Sequence, residues 1–446
     1  MIKFLKINKK IKPFIKKIRV SGDKSLSIRW VLLASQATGI SKAYNLLISE
    51  DVIAALNSIK KLGIKVKINK NNCEIFGNGI NGYEFKKNLV INAKNSGTLG
   101  RLILGLLVKS SQKIKIIGDK SLSGRDFSRV TAPLEKFGAK FYYKNKNKLP
   151  LSILGSESLK GINYFEDKGS AQCKSSVMLA SLNASGTTFI KAKKSRDHTE
   201  LLFKYLKVPM KVQKTKKYDF ISIKKPKKIK AFNYQIPGDI SSSSFFIVLT
   251  TLTPNSKLLI KNININHSRT GIIEILKKMG ANISFKNQKN YRGEKIADIY
   301  VQSSINLKAI NCPSKLNSRA IDEFLIIFLA AARAKGISYF KDISELNHKE
   351  SPRLNLASKI LRSMGVKTKL TKSSIKIYGQ PDLQIKKTII IKDYLKDHRI
   401  FMMSVIAALT CGGDWKIYDK DSIKTSFPSF LKTINQLKKN VNKIKK

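Results

Sequence analysis

The sequence has no continuous apolar run of 18 residues, so it predicts no membrane-spanning helix. Its four cysteines, Cys73, Cys173, Cys312 and Cys411, are scattered and show neither a CxxC nor a histidine-flanked spacing. Neither a disulfide framework nor a metal site is therefore expected. Residues 1–17 also lack the apolar core of a signal peptide, because lysine interrupts them every few positions. We therefore expect a cytoplasmic protein with no membrane contact.

Acidic residues are also scarce: 29 Asp and Glu oppose 86 Lys and Arg, which gives a formal net charge of +57. Such an excess is typical of proteins that bind nucleic acid. Here only 13 of the 86 basic residues are arginine, and the lysines are spread along the whole chain among many Ile and Asn residues. This pattern indicates drift toward AT-rich codons, and we expect no nucleic-acid partner. Seven of the arginines lie in or next to the motif stretches described below, where lysine cannot replace a bidentate guanidinium fork: Arg29, Arg101, Arg125, Arg129, Arg196, Arg353 and Arg399.

The stretch Ser21–Arg29 predicts a strand end, a polar turn and a helix start. A helix start leaves backbone N–H groups unpaired and carries partial positive charge, so it attracts anions. Lys24 and Arg29 add two cations there, and Ser25 adds a hydroxyl. A phosphate or carboxylate ligand would fit. The structural alternative, Ser25 as a helix cap beside solvated cations, is the favoured interpretation for this stretch taken alone.

Similar polar clusters open apolar helices five more times, at intervals of 69 to 80 residues. These intervals imply six units of one size. Each unit is a succession of helix, strand, helix and hairpin, which predicts an α/β (α+β) fold. At 446 residues the chain exceeds what one core usually supports, so we predict two domains of three units. The predicted boundaries are 21–237 for the first domain, and 1–20 with 238–446 for the second. The first 20 residues have no unit of their own and are predicted to complete the last one.

Nine separated motifs give the chain a resemblance to a known family. They are Asp23-Lys24-Ser25-Leu26-Ser27-Ile28-Arg29, Asn95-Ser96-Gly97-Thr98 with Arg101, Gly118 to Arg125, Ser170-Ala171-Gln172-Cys173-Lys174, Ser195-Arg196-Asp197-His198-Thr199, Ile321-Asp322-Glu323, His348-Lys349-Glu350-Ser351 with Arg353, Asp397-His398-Arg399 and Thr425-Ser426-Phe427-Pro428. Over nearly its whole length the chain resembles the EPSP synthases, or 3-phosphoshikimate 1-carboxyvinyltransferases, of the enolpyruvyl transferases. The resemblance implies two domains, each of three βαβαββ-type units around a pseudo-threefold axis (an inside-out α/β barrel).

The resemblance also implies an activity. This family transfers the enolpyruvyl group of phosphoenolpyruvate to the 5-hydroxyl of shikimate 3-phosphate and releases phosphate, in the shikimate pathway to chorismate and the aromatic amino acids. It uses no metal and no organic cofactor. We therefore expect these two small-molecule substrates, no cofactor, and a monomer.

The roles of individual residues follow from the resemblance. The residues expected to bind shikimate 3-phosphate are Ser25, Arg29, Ser170, Gln172, Ser195 and Lys349, and Ala171 and Asp322 are also expected to bind substrate. Those expected at the phosphoenolpyruvate site are Lys24, Gly97, Arg125, Arg353 and Arg399. Asp322 would be the base at the 5-hydroxyl, Glu350 the proton carrier at the methylene carbon, and Lys24 an assistant to it. The structural alternatives are a helix-terminal charge for Asp322, a capping-box role for Glu350 and a solvated cation for Arg399.

Several residues depart from the family pattern. Asp126 follows Arg125 where a proline is usual, Asn347 replaces a cation, and Pro352 replaces an aspartate. Asp126 is expected to weaken anion binding at Arg125, and Pro352 is predicted within the first turn of a helix. Lys424 is one position out of register with a lysine that some members carry, so no role is assigned to it.

Two alternative functions compete with this interpretation. The first is a related enolpyruvyl transferase that acts on UDP-N-acetylglucosamine, which typically has a cysteine in an arginine-rich loop. No cysteine lies near Arg125, which disfavours it. The second is a non-catalytic basic scaffold for RNA, for which no RNP-type aromatic motif is present.

The resemblance also implies that glyphosate competes with phosphoenolpyruvate. Gly97 favours sensitivity to glyphosate, whereas residues 170–174 resemble the branch of the family that tolerates it.

Overall fold

The computed structural model describes residues 4–304 and 306–439, and these residues form two compact units. Unit A contains Gly22–Ile236 together with Tyr291–Glu294. Unit B contains the described residues up to Ser21, Pro237–Asn290, and the described residues from Lys295 onward. Residues 291–294 were expected in the second domain, whereas the structure groups them with residues 22–236. Each unit encloses a hydrophobic core of its own.

The chain begins with two strands of unit B, β1 (Leu5–Ile7) and β2 (Ile15–Ile18). Unit A then follows as three repeats. Its helices and strands are α1 (Lys24–Ser35), β3 (Thr38–Tyr44), α2 (Glu50–Lys61), β4 (Lys65–Asn69), β5 (Asn72–Asn78), β6 (Val90–Asn92), α3 (Gly97–Leu107), β7 (Ile114–Ile117), α4 (Lys120–Ser123), α5 (Ser128–Glu135), β8 (Lys140–Tyr143), β9 (Leu151–Leu154), β10 (Asn163–Glu166), α6 (Ala171–Ser181), β11 (Thr187–Lys193), α7 (His198–Tyr205), β12 (Met210–Lys214), β13 (Tyr218–Lys224) and β14 (Asn233–Gln235).

Unit B continues with three further repeats. Its helices and strands are α8 (Ile240–Leu252), β15 (Lys257–Asn264), α9 (Gly271–Lys278), β16 (Asn282–Tyr291), β17 (Glu294–Gln302), α10 (Asn317–Ala320), α11 (Phe324–Ala332), β18 (Gly336–Phe340), α12 (Arg353–Ser363), β19 (Thr368–Leu370), β20 (Ile375–Gly379), β21 (Thr388–Ile391), α13 (His398–Cys411), β22 (Asp414–Ile417) and α14 (Phe430–Lys438). Short 3-10 helices are His267–Arg269, Ser314–Leu316, Ser344–His348 and Lys420–Thr425.

Each repeat of unit A contributes one four-stranded sheet, and the strand orders are β14-β3-β5-β4, β6-β7-β9-β8 and β10-β11-β13-β12. In every sheet the first two strands are parallel and the remaining pairs are antiparallel. Along β11 and β13, buried and exposed residues alternate, so one sheet face packs on the core. The last strand of the unit, β14, completes the sheet of the first repeat.

Unit B has sheets of strand order β16-β17-β15-β2, β18-β20-β19 and β1-β22-β21. The N-terminal strands therefore serve two repeats: β2 lies parallel to β15, and β1 lies antiparallel to β22. The prediction that residues 1–20 complete only the last repeat is wrong for β2. Both units confirm the predicted mixed α/β architecture of repeats.

Six helices that start at the polar motifs, α1, α3, α6, α8, α11 and α13, are buried nearly all round. A helix that is apolar on every side is buried in a core. Its polar N-terminus can still bind an anionic ligand, because the backbone N–H groups there are unpaired. Five of them begin with an acidic or serine side chain that accepts a backbone N–H of the first turn: Asp23, Ser96, Ser170, Asp239 and Asp397. Among the described residues no helix is both long and apolar enough to cross a membrane.

Candidate functional site

In unit A, the guanidinium of Arg29 is buried in a hydrogen-bonded cluster at the start of α1. Nε donates to Thr199 Oγ1 at 2.8 Å, Nη2 donates to Ser175 Oγ at 3.0 Å, and Nη1 donates to the Ser25 carbonyl at 3.2 Å. The two hydroxyls are themselves 2.7 Å apart. Arg29 is thus held by three directed bonds, which lysine cannot reproduce. The helix cap is Asp23, which accepts from Leu26 N at 2.9 Å, so the expectation of Ser25 as the cap is wrong.

A second cluster of unit A surrounds Gly97, the first residue of α3. A methyl group added at Gly97 would lie 2.8 Å from Nη1 of Arg101 and 3.0 Å from Nη1 of Arg125. Arg101 Nη1 donates to Gln172 Oε1 at 2.9 Å, and Gln172 Nε2 donates to Thr98 Oγ1 at 3.0 Å. The structure therefore brings three predicted residues, Gly97, Arg125 and Gln172, around the guanidinium of Arg101.

Ser170 and Ala171 begin α6, beside a buried carboxylate. Ser170 Oγ accepts from Cys173 N at 3.2 Å, and Ser170 N donates to Glu166 Oε2 at 2.8 Å. Burial raises the pKa of Glu166 above its usual range, although backbone N–H groups, that of Ser170 first among them, oppose the rise. Ser195 lies before α7; its Oγ is buried and has no hydrogen-bond partner among the described residues. An unsatisfied buried hydroxyl is available to a ligand.

Lys24 is the remaining predicted residue of unit A. Its Nζ lies 3.0 Å from Asp51 Oδ2, and the two side chains are 19% and 6% exposed. Asp51 is in the first turn of α2 and has no counterpart in the motifs, so sequence reasoning missed it. This carboxylate fixes where the Lys24 ammonium points.

In unit B, the predicted residues form one network around the guanidinium of Arg353, which is 1% exposed. Its Nη2 donates to Glu350 Oε2, and its Nη1 lies 3.6 Å from Asp322 Oδ1. Lys349 Nζ lies 3.3 Å from the same Asp322 oxygen. Asp322 and Glu350 are 16% and 20% exposed, so both carboxylates are accessible to a small ligand. Two carboxylates and two cations are thereby brought within a few ångströms of one another.

Asp397 is a shared hydrogen-bond acceptor in this network. It accepts from Arg353 Nε at 2.8 Å, from Ser351 Oγ at 2.8 Å and from the backbone N of Arg399 at 2.9 Å. Burial alone would raise the pKa of Asp397, but the adjacent guanidinium outweighs it and holds this pKa below its usual range. Conversely, burial alone would lower the pKa of Arg353, whereas Asp397 raises it, so the guanidinium stays charged.

Arg399 joins the same network, because its Nη1 donates to the backbone carbonyl of Asp322 at 2.6 Å and lies 3.8 Å from Glu323 Oε1. Glu323 also accepts from Ser241 Oγ. The roles of Asp397 and Glu323 were missed from the sequence, although both lie inside motif stretches. The available signal was the acidic residues themselves: Asp397 shares its motif with Arg399, and Glu323 directly follows Asp322.

The departures from the family pattern have local structural roles. Asn347 Oδ1 accepts from Leu354 N at 3.2 Å and so caps α12. Pro352 is the N-cap residue of that helix, one position earlier than predicted. Asp126 Oδ1 accepts from Ser128 N at 2.7 Å. Lys424 forms an exposed ion pair with Asp421 at 2.9 Å.

The four cysteines are unpaired and buried, and over residues 4–304 and 306–439 no group of three or more His, Cys, Asp or Glu is placed to hold a metal ion. The described sites present side-chain acids, bases and cations. Guanidinium forks and helix N-termini bind phosphate and carboxylate groups. Paired carboxylates can exchange protons with a bound substrate.

Comparison with known proteins identifies a family. The sequence profile of the family described as EPSP synthase (3-phosphoshikimate 1-carboxyvinyltransferase) matches residues 8–434. Among curated relatives, the 3-phosphoshikimate 1-carboxyvinyltransferase of Ruthia magnifica subsp. Calyptogena magnifica is 41% identical over 95% of this chain and 96% of the relative. The enzyme of the same name from Thermoanaerobacter sp. (strain X514) is 39% identical over 97% of this chain and 100% of the relative.

Solved structures agree with this assignment. The EPSP synthase of Acinetobacter baumannii superposes with a TM-score of 0.85 at 34% identity, covering 97% of each chain. The enolpyruvyl transferase NikO of Streptomyces tendae superposes with a TM-score of 0.74 at 13% identity, again over 97% of each chain, which shows the shared fold alone.

Proposed function

This chain belongs to the EPSP synthase family, and we propose that its two residue networks carry out that family's reaction. The enolpyruvyl group of phosphoenolpyruvate is transferred to the 5-hydroxyl of shikimate 3-phosphate, and phosphate is released. The product leads to chorismate and the aromatic amino acids. The observation that supports this proposal best lies within unit B: the two carboxylates expected to move protons, Asp322 and Glu350, both approach the one guanidinium of Arg353.

Shikimate 3-phosphate carries one phosphate and one carboxylate, so its site needs directed donors. We assign to it Ser25, Arg29, Ser170, Ala171, Gln172, Ser195 and Lys349. The buried hydroxyl of Ser195 supports this assignment because a ligand oxygen would satisfy it. The fork of Arg29, held by Thr199 and Ser175, would supply a cation whose orientation is set before the ligand arrives.

Phosphoenolpyruvate carries a phosphate and a carboxylate on three carbons, so it requires several cations close together. We assign to it Lys24, Arg125, Arg353 and Arg399, with Gly97 leaving room beside Arg125. Arg353 is buried, and its charge is retained because Asp397 accepts from two of its nitrogens. Charge-assisted hydrogen bonds of this kind are about twice as strong as neutral ones.

Two proton transfers are required. As the 5-hydroxyl oxygen bonds to C2 of phosphoenolpyruvate, its proton passes to Asp322, and Glu350 delivers a proton to the methylene carbon. The product of this addition is a tetrahedral ketal that bears a methyl group. In the second step a methyl proton returns to Glu350, the double bond re-forms and the phosphate leaves with the bonding electrons. Lys24, positioned by Asp51, would neutralise charge on the phosphoenolpyruvate.

The alternative acceptor, UDP-N-acetylglucosamine, is not favoured, because the profile match and the named relatives are all of the shikimate 3-phosphate enzyme. We propose that the protein acts as a monomer of 50.1 kDa. Light scattering would measure this mass directly.

The proposal is tested by supplying phosphoenolpyruvate with either acceptor and measuring released phosphate. Release that depends on shikimate 3-phosphate, with none above background for UDP-N-acetylglucosamine, is the expected result. Release that depends on the sugar nucleotide, or on neither acceptor, would refute the proposal.

A further inference from the structure

A fully buried carboxylate–imidazole pair lies within unit A and has no role in the assignments above. His198 Nδ1 and Glu294 Oε1 are 2.6 Å apart, and both side chains are 0% exposed. His198 is the first residue of α7, whereas Glu294 is 96 positions away, at the start of β17. A buried carboxylate without a partner is strongly disfavoured, so this contact constrains both segments.

The tip of the β16–β17 hairpin, Tyr291–Glu294, is a well-defined turn. Arg292 and Gly293 both have positive φ, of 49° and 90°, as a two-residue type I′ hairpin turn requires. The Arg292 guanidinium lies 5.3 Å from the ring centres of Tyr205 and Tyr291. Tyr291 Oη accepts from Gln235 N at 2.8 Å. Cation–π contacts and a backbone hydrogen bond thus anchor the tip that presents Glu294.

Three successive side chains in the first turn of α7 each contact a different partner. His198 contacts Glu294, and Thr199 Oγ1 accepts from Arg29 Nε at 2.8 Å. Glu200 Oε1 lies 2.6 Å from Lys174 Nζ of α6, and both of these side chains are buried. Ser195, with its unsatisfied buried hydroxyl, is three residues before this turn. The orientation of α7 therefore determines where the ligand-facing atoms of Ser195 and Arg29 lie.

We propose that Glu294 is a positioning residue for the shikimate 3-phosphate site: by holding His198, it fixes the start of α7 and thereby Ser195, Thr199 and Arg29. This inference rests on the proposed function. Glu294 touches no substrate in this account. It acts through His198. The contact between the two side chains keeps the start of α7 in the orientation that binding requires, so the ligand does not have to impose that orientation.

The test is binding of shikimate 3-phosphate by calorimetry, together with steady-state kinetics, for Glu294→Gln. We expect the Kd and the KM for shikimate 3-phosphate to rise about tenfold, with the KM for phosphoenolpyruvate and kcat at saturation nearly unchanged. Glu294→Asp should recover part of the affinity. Wild-type affinity in Glu294→Gln overturns the proposal.

Asp298→Asn is the matched control, because Asp298 lies on the same strand and forms ion-paired contacts with Lys261. It should lower the stability without changing the Kd for shikimate 3-phosphate. An equal loss of affinity in Asp298→Asn would show that the effect is general destabilisation, and the proposal would be wrong.

A second pair of variants keeps the test decisive if Glu294→Gln does not fold. His198→Asn retains a polar group near the position of Nδ1, whereas His198→Ala removes it. We expect the asparagine variant to bind shikimate 3-phosphate more tightly than the alanine variant, and equal affinities would contradict the proposal. Failure of the proposed function is distinct from all these results, since the wild-type protein would then show no binding and no phosphate release.

Discussion

Arg353 and Asp397 form a buried two-point ion pair, in which Nε donates to Oδ2 at 2.8 Å and Nη2 donates to Oδ1 at 3.2 Å. The side chains are 1% and 0% exposed. Because the backbone N of Arg399 donates to the same carboxylate, one acidic residue positions two of the arginines assigned to phosphoenolpyruvate. Glu350, the assigned proton carrier, accepts from the same Nη2 of Arg353 that donates to Asp397 Oδ1.

Asp397→Asn should destabilise the protein strongly, because Arg353 would keep its charge in a buried setting without its main partner. Breaking a buried pair in this way costs about 3–5 kcal/mol. Denaturant unfolding monitored by fluorescence or circular dichroism measures the change. Asp421→Asn is the control, since its ion pair with Lys424 is exposed, and exposed pairs are worth roughly 0–1 kcal/mol. Equal effects of the two substitutions would contradict the assignment of Asp397.

The stability difference between wild type and Asp397→Asn should depend on pH. The folded-state pKa of Asp397 is lowered, with Arg353 outweighing the opposing effect of burial, so the folded protein binds fewer protons than the unfolded chain in the acidic range. The stabilisation is then complete above the unfolded pKa of about 3.9 and is lost as the pH falls through the folded value. We expect the difference in unfolding free energy to be largest at neutral pH and to narrow below about pH 4. A difference that is constant with pH would be inconsistent with an ionised Asp397.

Glu350→Gln should reduce kcat by about 10²–10⁴-fold while leaving shikimate 3-phosphate affinity close to wild type, because general acid–base groups act on the barrier. The amide keeps the shape of the side chain, so Arg353 retains an acceptor. Calorimetry and steady-state kinetics on the same preparation separate the two quantities. Unchanged turnover would remove Glu350 from the mechanism.

Gly97→Ala should weaken the binding of glyphosate more than it weakens the binding of phosphoenolpyruvate. The new methyl group would meet the ends of Arg101 and Arg125 at 2.8 and 3.0 Å, so both cations must move, and the longer inhibitor has less room. We expect competitive inhibition of the wild type and a relative loss for glyphosate of about tenfold, the equivalent of ~1.4 kcal/mol of steric cost.

Gly100→Ala is the control for this substitution, because a methyl group there meets Ala93 and Phe127 at an ordinary 3.5 Å. It lies one turn further along the same helix and should leave inhibition unchanged. A wild type that resists glyphosate, with no further change in Gly97→Ala, would refute the steric explanation.

The repeat architecture was predictable because each repeat has a polar helix start, and four of the six have a glycine after the second helix: Gly63, Gly138, Gly280 and Gly365. The pairing of strands that are far apart in the sequence was not predictable. β2 pairs with β15 more than 230 positions away, and no local pattern distinguishes that partner from β22. The same reasoning holds for Tyr291–Glu294, whose grouping with unit A depends on contacts that the hairpin sequence does not encode.

For the candidate sites, motif position predicted that Lys349, Arg353 and Arg399 lie in one cluster of unit B, but not which acidic residues hold them. Asp23, and not Ser25, caps α1. The sequence alone could not distinguish them, because both residue types are good caps and they lie within three positions of each other. Asp51 and Glu294 lie outside every motif, so their contacts with Lys24 and His198 required the structure. Asn347 was interpreted as a lost cation, whereas its side chain caps α12.

The central claim is that transfer proceeds by protonation of the phosphoenolpyruvate methylene carbon and later loss of a methyl proton, with Glu350 as the carrier. The most direct measurement is mass spectrometry of the product formed by the wild-type protein from both substrates in deuterium oxide. The account predicts an enolpyruvyl ether of shikimate 3-phosphate that carries solvent deuterium in its methylene group, and about 10²–10⁴-fold slower formation of this product with Glu350→Gln. A product that forms without any deuterium in the methylene group, or no shikimate 3-phosphate-dependent product at all, would contradict it.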